Sequence, residues 1–308
     1  MLDELGCAAP YLLATKRDHD LPSQAGRWSE LPTDDIEAIT AALGSADALV
    51  ALGGGSTIDT AKAVSAETGL SVVSIPTTYS GAEWTPFFGV RDQERRQRGG
   101  GAGARVAGIV YEPELTLGLP RAVTVGTALN ALAHCAEALY VKAHNPAADE
   151  HALQGARLVS DWLPRVVEDG DDREARAALL RGACHAGAAL AGSMLALGHA
   201  MAQALGGRYG LPHGAMNALC LPPALRFNAE AVPEAVARFG AAVGSAADPA
   251  GRVEELARLG GFERLRDFGV PEADLVDVAA AVVQRPGAKA NPRPATAEEV
   301  EQLLRSIW

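Results

Sequence analysis

Residues 195–228 have the sequence LALGHAMAQALGGRYGLPHGAMNALCLPPALRFN, in which His199 and His213 lie on either side of a glycine pair. Small residues around His199 predict a tightly packed helix. The glycine pair and Pro212 then predict a turn before a second apolar helix begins. Such a bend can direct both imidazole rings into one cavity, so this stretch is predicted to organise the rest of the chain.

An upstream segment carries a matching pair of polar residues. In ALNALAHCAEALY, residues 128–140, Asn130 and His134 are four residues apart and therefore share one helical face. Together with His199 and His213 they predict a cluster of nitrogen and oxygen ligands that suits zinc or iron. The alternative is that each histidine is a hydrogen-bonded core residue, which is the commoner role of a single histidine on an apolar helix.

The spacing of these side chains resembles that of the iron-containing alcohol dehydrogenases and their relatives, the maleylacetate reductases. The shared pattern is Asp or Asn, three residues and His, followed much later by two histidines with thirteen residues between them. Four further segments favour the reductase branch, and the resemblance covers residues 48–308. These segments are PTTYSGAEWTPFFGV at 76–90, IVYEPELTLGLP at 109–120, NALAHCAEALYVKAHNP at 130–146 and NPRPATAEEVEQLLRSIW at 291–308.

The composition fits a soluble intracellular enzyme. With 308 residues, 48% of them hydrophobic, the chain can bury a large core and would normally form two domains. A net charge of −11 argues against nucleic acid or anionic membranes as partners. The sequence contains no run of about 18 apolar residues, so no membrane span is predicted. The four cysteines lack C-x-x-C spacing, so a reducing cytoplasm is expected. We expect a small-molecule substrate and, from the resemblance, a homodimer.

The first third of the chain predicts alternating strands and helices. PYLLAT at 10–15 and ADALVAL at 46–52 are apolar runs typical of buried parallel strands. Residues 34–43 predict a helix with Thr33 as its N-cap. Residues 91–105 are basic and glycine-rich, which predicts a solvated hairpin tip.

From Arg121 onward, β signals almost vanish and helical periodicity dominates, with helices predicted at 173–205 and 215–227 among others. We therefore predict an α/β fold with two domains. A Rossmann-like domain would cover residues 1–119 and an all-helical domain residues 120–308, and the active cleft is expected between them.

A glycine turn follows the second predicted strand in the sequence GGGSTIDTAKA. Gly53, Gly54 and Gly55 let the backbone approach a ligand closely, and Ser56 is predicted to cap the next helix, with Asp59 completing a capping pattern. The free N–H groups at the helix start would hold a pyrophosphate. A purely structural glycine turn is the alternative, but in the resembling family the matching glycines bind the dinucleotide phosphates.

Hydroxyl-bearing residues crowd the end of the next predicted strand, residues 71–76. The carboxyl ends of parallel strands are where open α/β sheets bind ligands. The resemblance implies that Thr77, Thr78 and Ser80 contact the cofactor, NADH or NADPH, and Tyr79 is a candidate proton donor. An ordinary polar loop is the alternative.

Two positions depart from the family pattern. Metal-dependent members have Asp where this chain has the neutral Asn130, so a metal site here is expected to be weak or empty. His199 and His213 would then act as acid, base or carboxylate binder. Members of the family also carry a His where this chain has Gln203, which cannot donate a proton in turnover. The proton must then come from His199, His213, Tyr79 or water.

A third departure lies near the N-terminus, where the family has a helix and a further strand. Only polar residues, 16–32, fill that space, and the family's first strand is missing. Either residues 16–31 rebuild the adenosine pocket as a loop, or the nucleotide binds poorly and the cleft performs other chemistry.

Three hypotheses about function therefore stand. The leading one is a reductase that passes hydride from NADH or NADPH to a small carboxylate-bearing unsaturated or carbonyl substrate. The second is a non-redox cyclase, isomerase or lyase that uses the same cleft. The third is a non-catalytic paralogue.

Overall fold

The computed structural model describes residues 2–15, 24–92 and 97–308. The chain forms two compact units. Unit 1 comprises Met1–Thr78 and Ala82–Thr116, and unit 2 comprises Tyr79–Gly81 and Leu117–Trp308. The sequence predicts a single boundary at residue 119. In the structure the segment Tyr79–Gly81 also belongs to unit 2.

Unit 1 is built on a parallel sheet of five strands in the order β2-β1-β3-β4-β7. The central strand β3 is buried along its whole length because helices and loops cover both faces of the sheet. Alternate side chains form one core cluster that contains Leu13, Leu49 and Ile58 and another that contains Leu12 and Val50. The strands are β1 Pro10–Ala14, β2 Gly26–Trp28, β3 Ala48–Gly53, β4 Ser71–Pro76 and β7 Arg105–Ile109.

Two helices flank this sheet. Helix α1 covers Ile36–Ala42, and its N-cap is Asp35, whose side chain accepts a hydrogen bond from the Ala38 N–H over 3.0 Å. The predicted cap, Thr33, is therefore wrong, because the helix begins later than expected. Helix α2 covers Gly55–Thr68 and ends at Gly69, which adopts a left-handed φ of 75°.

Strand β2 contradicts the expectation that no strand follows β1 before α1. Gly26–Trp28 pairs in parallel with β1, and Gly26 leaves room for the ring of Tyr11, since a Cβ there would lie 2.6 Å from Cε2. Three residues are too few to show the alternation that identifies a strand in a sequence. The expectation about residues 16–31 falls partly on residues 16–23, which lie outside the described residues.

The predicted basic hairpin is present. Strands β5 Phe88–Asp92 and β6 Gln97–Gly101 pair antiparallel, and the connecting residues 93–96 lie outside the described part of the chain. The described residues also contain four short 3₁₀ helices. They are Ala82–Trp84, Pro113–Thr116, Leu265–Phe268 and Glu272–Asp274.

Unit 2 consists of helices, which together with the sheet of unit 1 confirms the predicted fold class. Helix α3 is its buried centre and packs against α4, α5 and α7; its alanine-rich sequence lets the neighbouring helices approach closely. The helices are α3 Arg121–Ala138, α4 Pro146–Glu168, α5 Arg173–Gly192, α6 Leu197–Tyr209, α7 His213–Asn228, α8 Pro233–Ala242, α9 Pro249–Arg258, α10 Leu275–Val283, α11 Pro286–Ala290 and α12 Ala297–Ser306.

The single helix predicted at 173–205 is wrong. The chain breaks after Gly192 and resumes at Leu197, so that α5 and α6 meet at an angle of 101°. Within the described residues no individual helix has the length and apolar composition to span a membrane, and only this bent pair meets the criterion jointly. Helix α7 begins at His213, two residues before the predicted start.

Candidate functional site

The glycine turn of unit 1 leads directly into helix α2. Gly54 is the N-cap residue, with extended backbone angles of φ −78° and ψ −177°, and no side chain caps this helix in the part of the chain that is described. Ser56 lies one residue inside the helix and is exposed, so its predicted capping role is wrong. The N–H groups of the first turn therefore have no side-chain cap among the described residues, which suits an anion.

Asp59 does not complete a capping pattern either. Its carboxylate pairs with Lys62 Nζ over 2.8 Å and accepts a hydrogen bond from the Gly89 N–H over 3.1 Å. Lys62 also donates to the carbonyl oxygens of Ala82 and Phe87. These contacts attach the base of the hairpin to α2, so Asp59 and Lys62 have a structural role.

The space at the turn is limited by threonine side chains. A Cβ on Gly53 would lie 2.5 Å from Thr57 Oγ1, and a Cβ on Gly54 would lie 3.1 Å from Thr78 Cγ2. The Thr77 N–H donates to the Gly53 carbonyl over 2.9 Å, which joins the turn to the end of β4. Thr78 Oγ1 is buried and has no hydrogen-bond partner among the described residues. An orphaned hydroxyl beside an uncapped helix start fits the phosphates of a dinucleotide.

The segment Tyr79–Gly81 packs along α3 in unit 2. The Tyr79 N–H donates to Thr127 Oγ1 over 3.3 Å, and the carbonyl of Ser80 accepts from Asn130 Nδ2 over 2.8 Å. Gly81 has a left-handed φ of 74°, and a Cβ there would lie 3.4 Å from His134 Nδ1. Glycine at this position therefore allows the segment to approach the His134 ring closely.

Three of the four predicted cluster residues are histidines, and the structure brings their rings together. The rings of His134 on α3 and His199 on α6 are stacked, with centroids 4.8 Å apart and planes at 10°. His213, at the start of α7, is tilted by 50° relative to His199 at a centroid distance of 6.0 Å. The bend between α6 and α7 produces the predicted convergence, but the glycine pair does not form it. Gly206 and Gly207 lie inside α6, and the helix ends at Gly210, which adopts a left-handed φ of 69°.

A buried glutamate holds His199. Glu137 Oε2 lies 2.7 Å from His199 Nδ1 and accepts a hydrogen bond from the Ala196 N–H over 2.6 Å, while Oε1 accepts one from the His199 N–H over 3.1 Å. His199 Nε2 is buried without a partner among the described residues. The sequence analysis missed Glu137, although a lone carboxylate three residues after His134 in an apolar helix is a usable signal.

An amide network surrounds His213. Asn217 Nδ2 lies 2.6 Å from Asn130 Oδ1 and 3.0 Å from His213 Nε2. An amide nitrogen can only donate, so His213 Nε2 accepts and the proton of its neutral ring lies on Nδ1. Asn217 was also missed, although it follows His213 by one helical turn.

The structure brings the four predicted ligands together in unit 2. Asn130 uses its oxygen for Asn217 and its nitrogen for Ser80. The rings of His134 and His199 are stacked on each other. Among the described residues no group of three or more His, Cys, Asp or Glu side chains has the geometry to hold a metal ion.

The environment of His134 lowers its pKa. Burial, and then the nearby rings of His199 and His213, hold the pKa of His134 well below its usual value of 6.5. His134 is therefore neutral at physiological pH, and its Nδ1 is buried without a partner among the described residues. A proton carried by this cluster does not reside on His134.

The two remaining candidates lie apart from these contacts. Tyr79 is fully buried, and its hydroxyl lies 3.2 Å from the guanidinium of Arg176, which also donates to the Gly170 carbonyl. Gln203 is half-buried on α6, one turn after His199. Arg176, a buried cation in the first turn of α5, gave no signal in the sequence.

Two family profiles match the chain. The profile described as "Fe-containing alcohol dehydrogenase family, C-terminal" matches residues 124–308. The profile described as "Iron-containing alcohol dehydrogenase" matches residues 25–106. Together they cover most of both units.

Individual proteins are similar over the same region. A maleylacetate reductase of Burkholderia cepacia is 38% identical over 263 residues, which are 85% of this chain and 74% of that protein. A maleylacetate reductase of Sphingobium indicum is 37% identical over 300 residues, 96% of this chain and 84% of that protein. The crystal structure of maleylacetate reductase from Rhizobium sp. strain MTP-10005 has a TM-score of 0.90 and 30% identity, covering 100% of this chain and 91% of that one.

Proposed function

Because the chain belongs to the iron-containing alcohol dehydrogenase family and is an NAD(P)-dependent oxidoreductase, we propose that it reduces the carbon–carbon double bond of an unsaturated keto dicarboxylate of the maleylacetate type. The observation that carries this proposal is His199, whose Nε2 is buried without a partner in the described part of the chain while Glu137 holds its Nδ1. The similarity offers no support for a cyclase, an isomerase, a lyase or a non-catalytic paralogue.

The residues of the glycine turn would hold the nucleotide. Gly53, Gly54 and Gly55 offer backbone N–H groups at the uncapped start of α2, where Ser56 lies in the first turn. Thr78 adds its orphaned hydroxyl. Backbone and hydroxyl donors of this kind suit the pyrophosphate of NADH or NADPH equally, and we assign Thr77 and Ser80 to the same site.

A dihydronicotinamide held at the glycine turn would supply the hydride, which the alkene carbon β to the ketone accepts while the electron pair of the double bond moves toward the keto oxygen. His199 then delivers a proton from Nε2 to the α carbon and returns to its neutral form, with Nδ1–H still donated to Glu137. The double bond has gained one hydride and one proton, and the ketone is restored. His213 is the candidate for binding a substrate carboxylate, and no step requires a metal.

We also propose that the enzyme is a cytoplasmic homodimer, in line with its negative charge and scattered cysteines.

Tyr79 is a weaker candidate proton donor than His199, because its hydroxyl contacts Arg176 and is fully buried.

The test is the oxidation of NADH and NADPH by the purified protein in the presence of maleylacetate. His199→Gln should reduce kcat by about 100- to 10,000-fold, since a general acid contributes that much. The matched control is His151→Gln, an exposed histidine on α4, which should keep the wild-type rate. Wild-type protein that oxidises neither nucleotide, and gains no thermal stability from either, would contradict the proposal.

A further inference from the structure

Among the described residues, Glu137 is the one carboxylate that contacts the cluster of His134, His199 and His213. We propose that Glu137 is a positioning residue. It fixes the tautomer and orientation of His199, so that only Nε2 can donate the proton to the substrate. This inference rests on the proposed role of His199 as the proton donor.

The carboxylate of Glu137 is wholly buried and surrounded by donors. It accepts from His199 Nδ1, from the His199 backbone and from the Ala196 backbone. Within the described residues, His199 is the only basic side chain within ion-pair distance of it. A buried carboxylate without a Lys or Arg partner is costly unless a neighbouring group shares its charge, and here that group is the imidazole.

The tautomer follows from hydrogen-bond chemistry. An ionised carboxylate can only accept, so His199 must carry a proton on Nδ1 in every state of the cycle. In the neutral ring Nε2 is then the acceptor, and in the charged ring it is the second donor. The proton that the reaction consumes can therefore enter and leave only at Nε2.

The same contacts set the position of helix α6. Its N-cap, Ala196, has no side-chain acceptor of its own, so Glu137 on α3 satisfies two N–H groups at the helix start. Gly198, two residues after Ala196, leaves the space that this requires, because a Cβ there would lie 2.9 Å from Glu137 Oε1. Glu137 thus attaches the start of the helix that carries His199 to the helix that carries His134.

Glu137→Gln is the informative substitution. The amide has the size of the carboxylate but presents an NH₂ group to at least one of the three donors, so His199 should lose its fixed tautomer. We expect kcat to fall about 100-fold or more and the solvent deuterium isotope effect to rise, because proton delivery becomes limiting. The KM for the nucleotide should stay within about 2-fold of wild type, since the glycine turn is unchanged. Glu137→Asp, which keeps the charge, should recover part of the rate.

Asp149→Asn is the matched control. Asp149 is a buried carboxylate of unit 2 that pairs with Arg238 over 2.6 Å outside the cluster. Its loss should lower the melting temperature without changing the isotope effect or the pH profile. If Glu137 had only a structural role, Glu137→Gln would likewise lower the melting temperature without changing the isotope effect or the pH profile.

Ring ¹⁵N chemical shifts of histidine-labelled protein read the tautomer without any activity. In wild type we expect His199 to be protonated on Nδ1, and in Glu137→Gln we expect a mixture of tautomers. A proton on Nε2 alone in neutral wild-type His199, or a Glu137→Gln enzyme with wild-type kcat and isotope effect, would overturn the positioning role. If Glu137→Gln does not fold, the wild-type shifts and the Glu137→Asp kinetics decide. Absence of reductase activity in wild type would reject the proposed function while the shifts still test the position of the proton.

Discussion

Asn217 donates an amide N–H to Oδ1 of Asn130 over 2.6 Å, and both side chains are buried. The remaining amide group of Asn130 donates to the Ser80 carbonyl. A cation that used Asn130 as a ligand would share its oxygen with this buried hydrogen bond and would gain only a neutral carbonyl oxygen.

We therefore predict that activity does not depend on a divalent metal. After dialysis against a chelator, the protein should contain far less than one zinc or iron per chain and should keep its rate. Elemental analysis and an assay before and after dialysis measure this. One tightly held metal per chain, with loss of activity on its removal, would contradict the hydrogen-bonded arrangement.

Gly54→Val should abolish nucleotide binding while unit 2 stays folded. The backbone at Gly54 is extended and tolerates any residue, so the effect of Val comes from the space that its side chain occupies. A Cβ would already lie 3.1 Å from Thr78 Cγ2, and the two methyl groups of Val would block the approach of a phosphate. Thermal shift with NADH and NADPH measures binding. Ser56→Ala, at an exposed position that caps nothing, should leave apoprotein stability within about 0.5 kcal/mol of wild type.

Thr78→Val should weaken nucleotide binding without lowering the stability of the apoprotein. Thr78 Oγ1 is buried without a partner in the described chain, so replacing it with a methyl group should leave the apoprotein as stable as wild type or raise its stability by about 1 kcal/mol. Nucleotide affinity should fall about 10- to 100-fold if the hydroxyl donates to a phosphate. Urea unfolding and a binding titration give the two quantities. Unchanged affinity would place Thr78 outside the cofactor site.

Acid should destabilise unit 2 through His185. Burial, and then the charge of His151 2.9 Å away, lower the pKa of His185, while Glu150 opposes this. The unfolded chain therefore binds the proton more readily, so the contribution to stability is present above about pH 6.5 and is lost as the pH falls below it. In His185→Gln the free energy of unfolding, measured by urea denaturation, should decrease less as the pH is lowered below about 6.5. An unchanged pH slope would show that His185 is not responsible, and the exposed His144→Gln serves as control.

Gln203→His should introduce a second proton donor. Gln203 lies one turn after His199 on α6, so a histidine there would reach the same face. We expect reductase turnover to rise where proton delivery limits it, with a new pH dependence at roughly 6 to 7. The pH profile of kcat measures this. If neither the rate nor the profile changes, Gln203 does not line the site.

Local patterns predicted much of this molecule because they depend on neighbouring residues alone. The apolar run at 46–52 predicts a buried strand and GGGS a tight turn, and both are present because parallel strands between two layers must be apolar throughout. The histidine spacing indicated the family, which the profiles confirm. Strand β2 was missed because three half-buried residues carry no periodic signal.

The sequence by itself determined the helical character of unit 2, the glycine turn and the three histidines of the cluster, since periodicity and residue type are local properties. Only the tertiary structure decided which of them meet. The break between α5 and α6 exists because Glu137, about sixty residues upstream, satisfies N–H groups at Ala196 and His199. Likewise, Asn130 is a hydrogen-bond acceptor for Asn217 because two helices place those amides 2.6 Å apart. Contacts between distant segments depend on how helices pack, which no local pattern encodes.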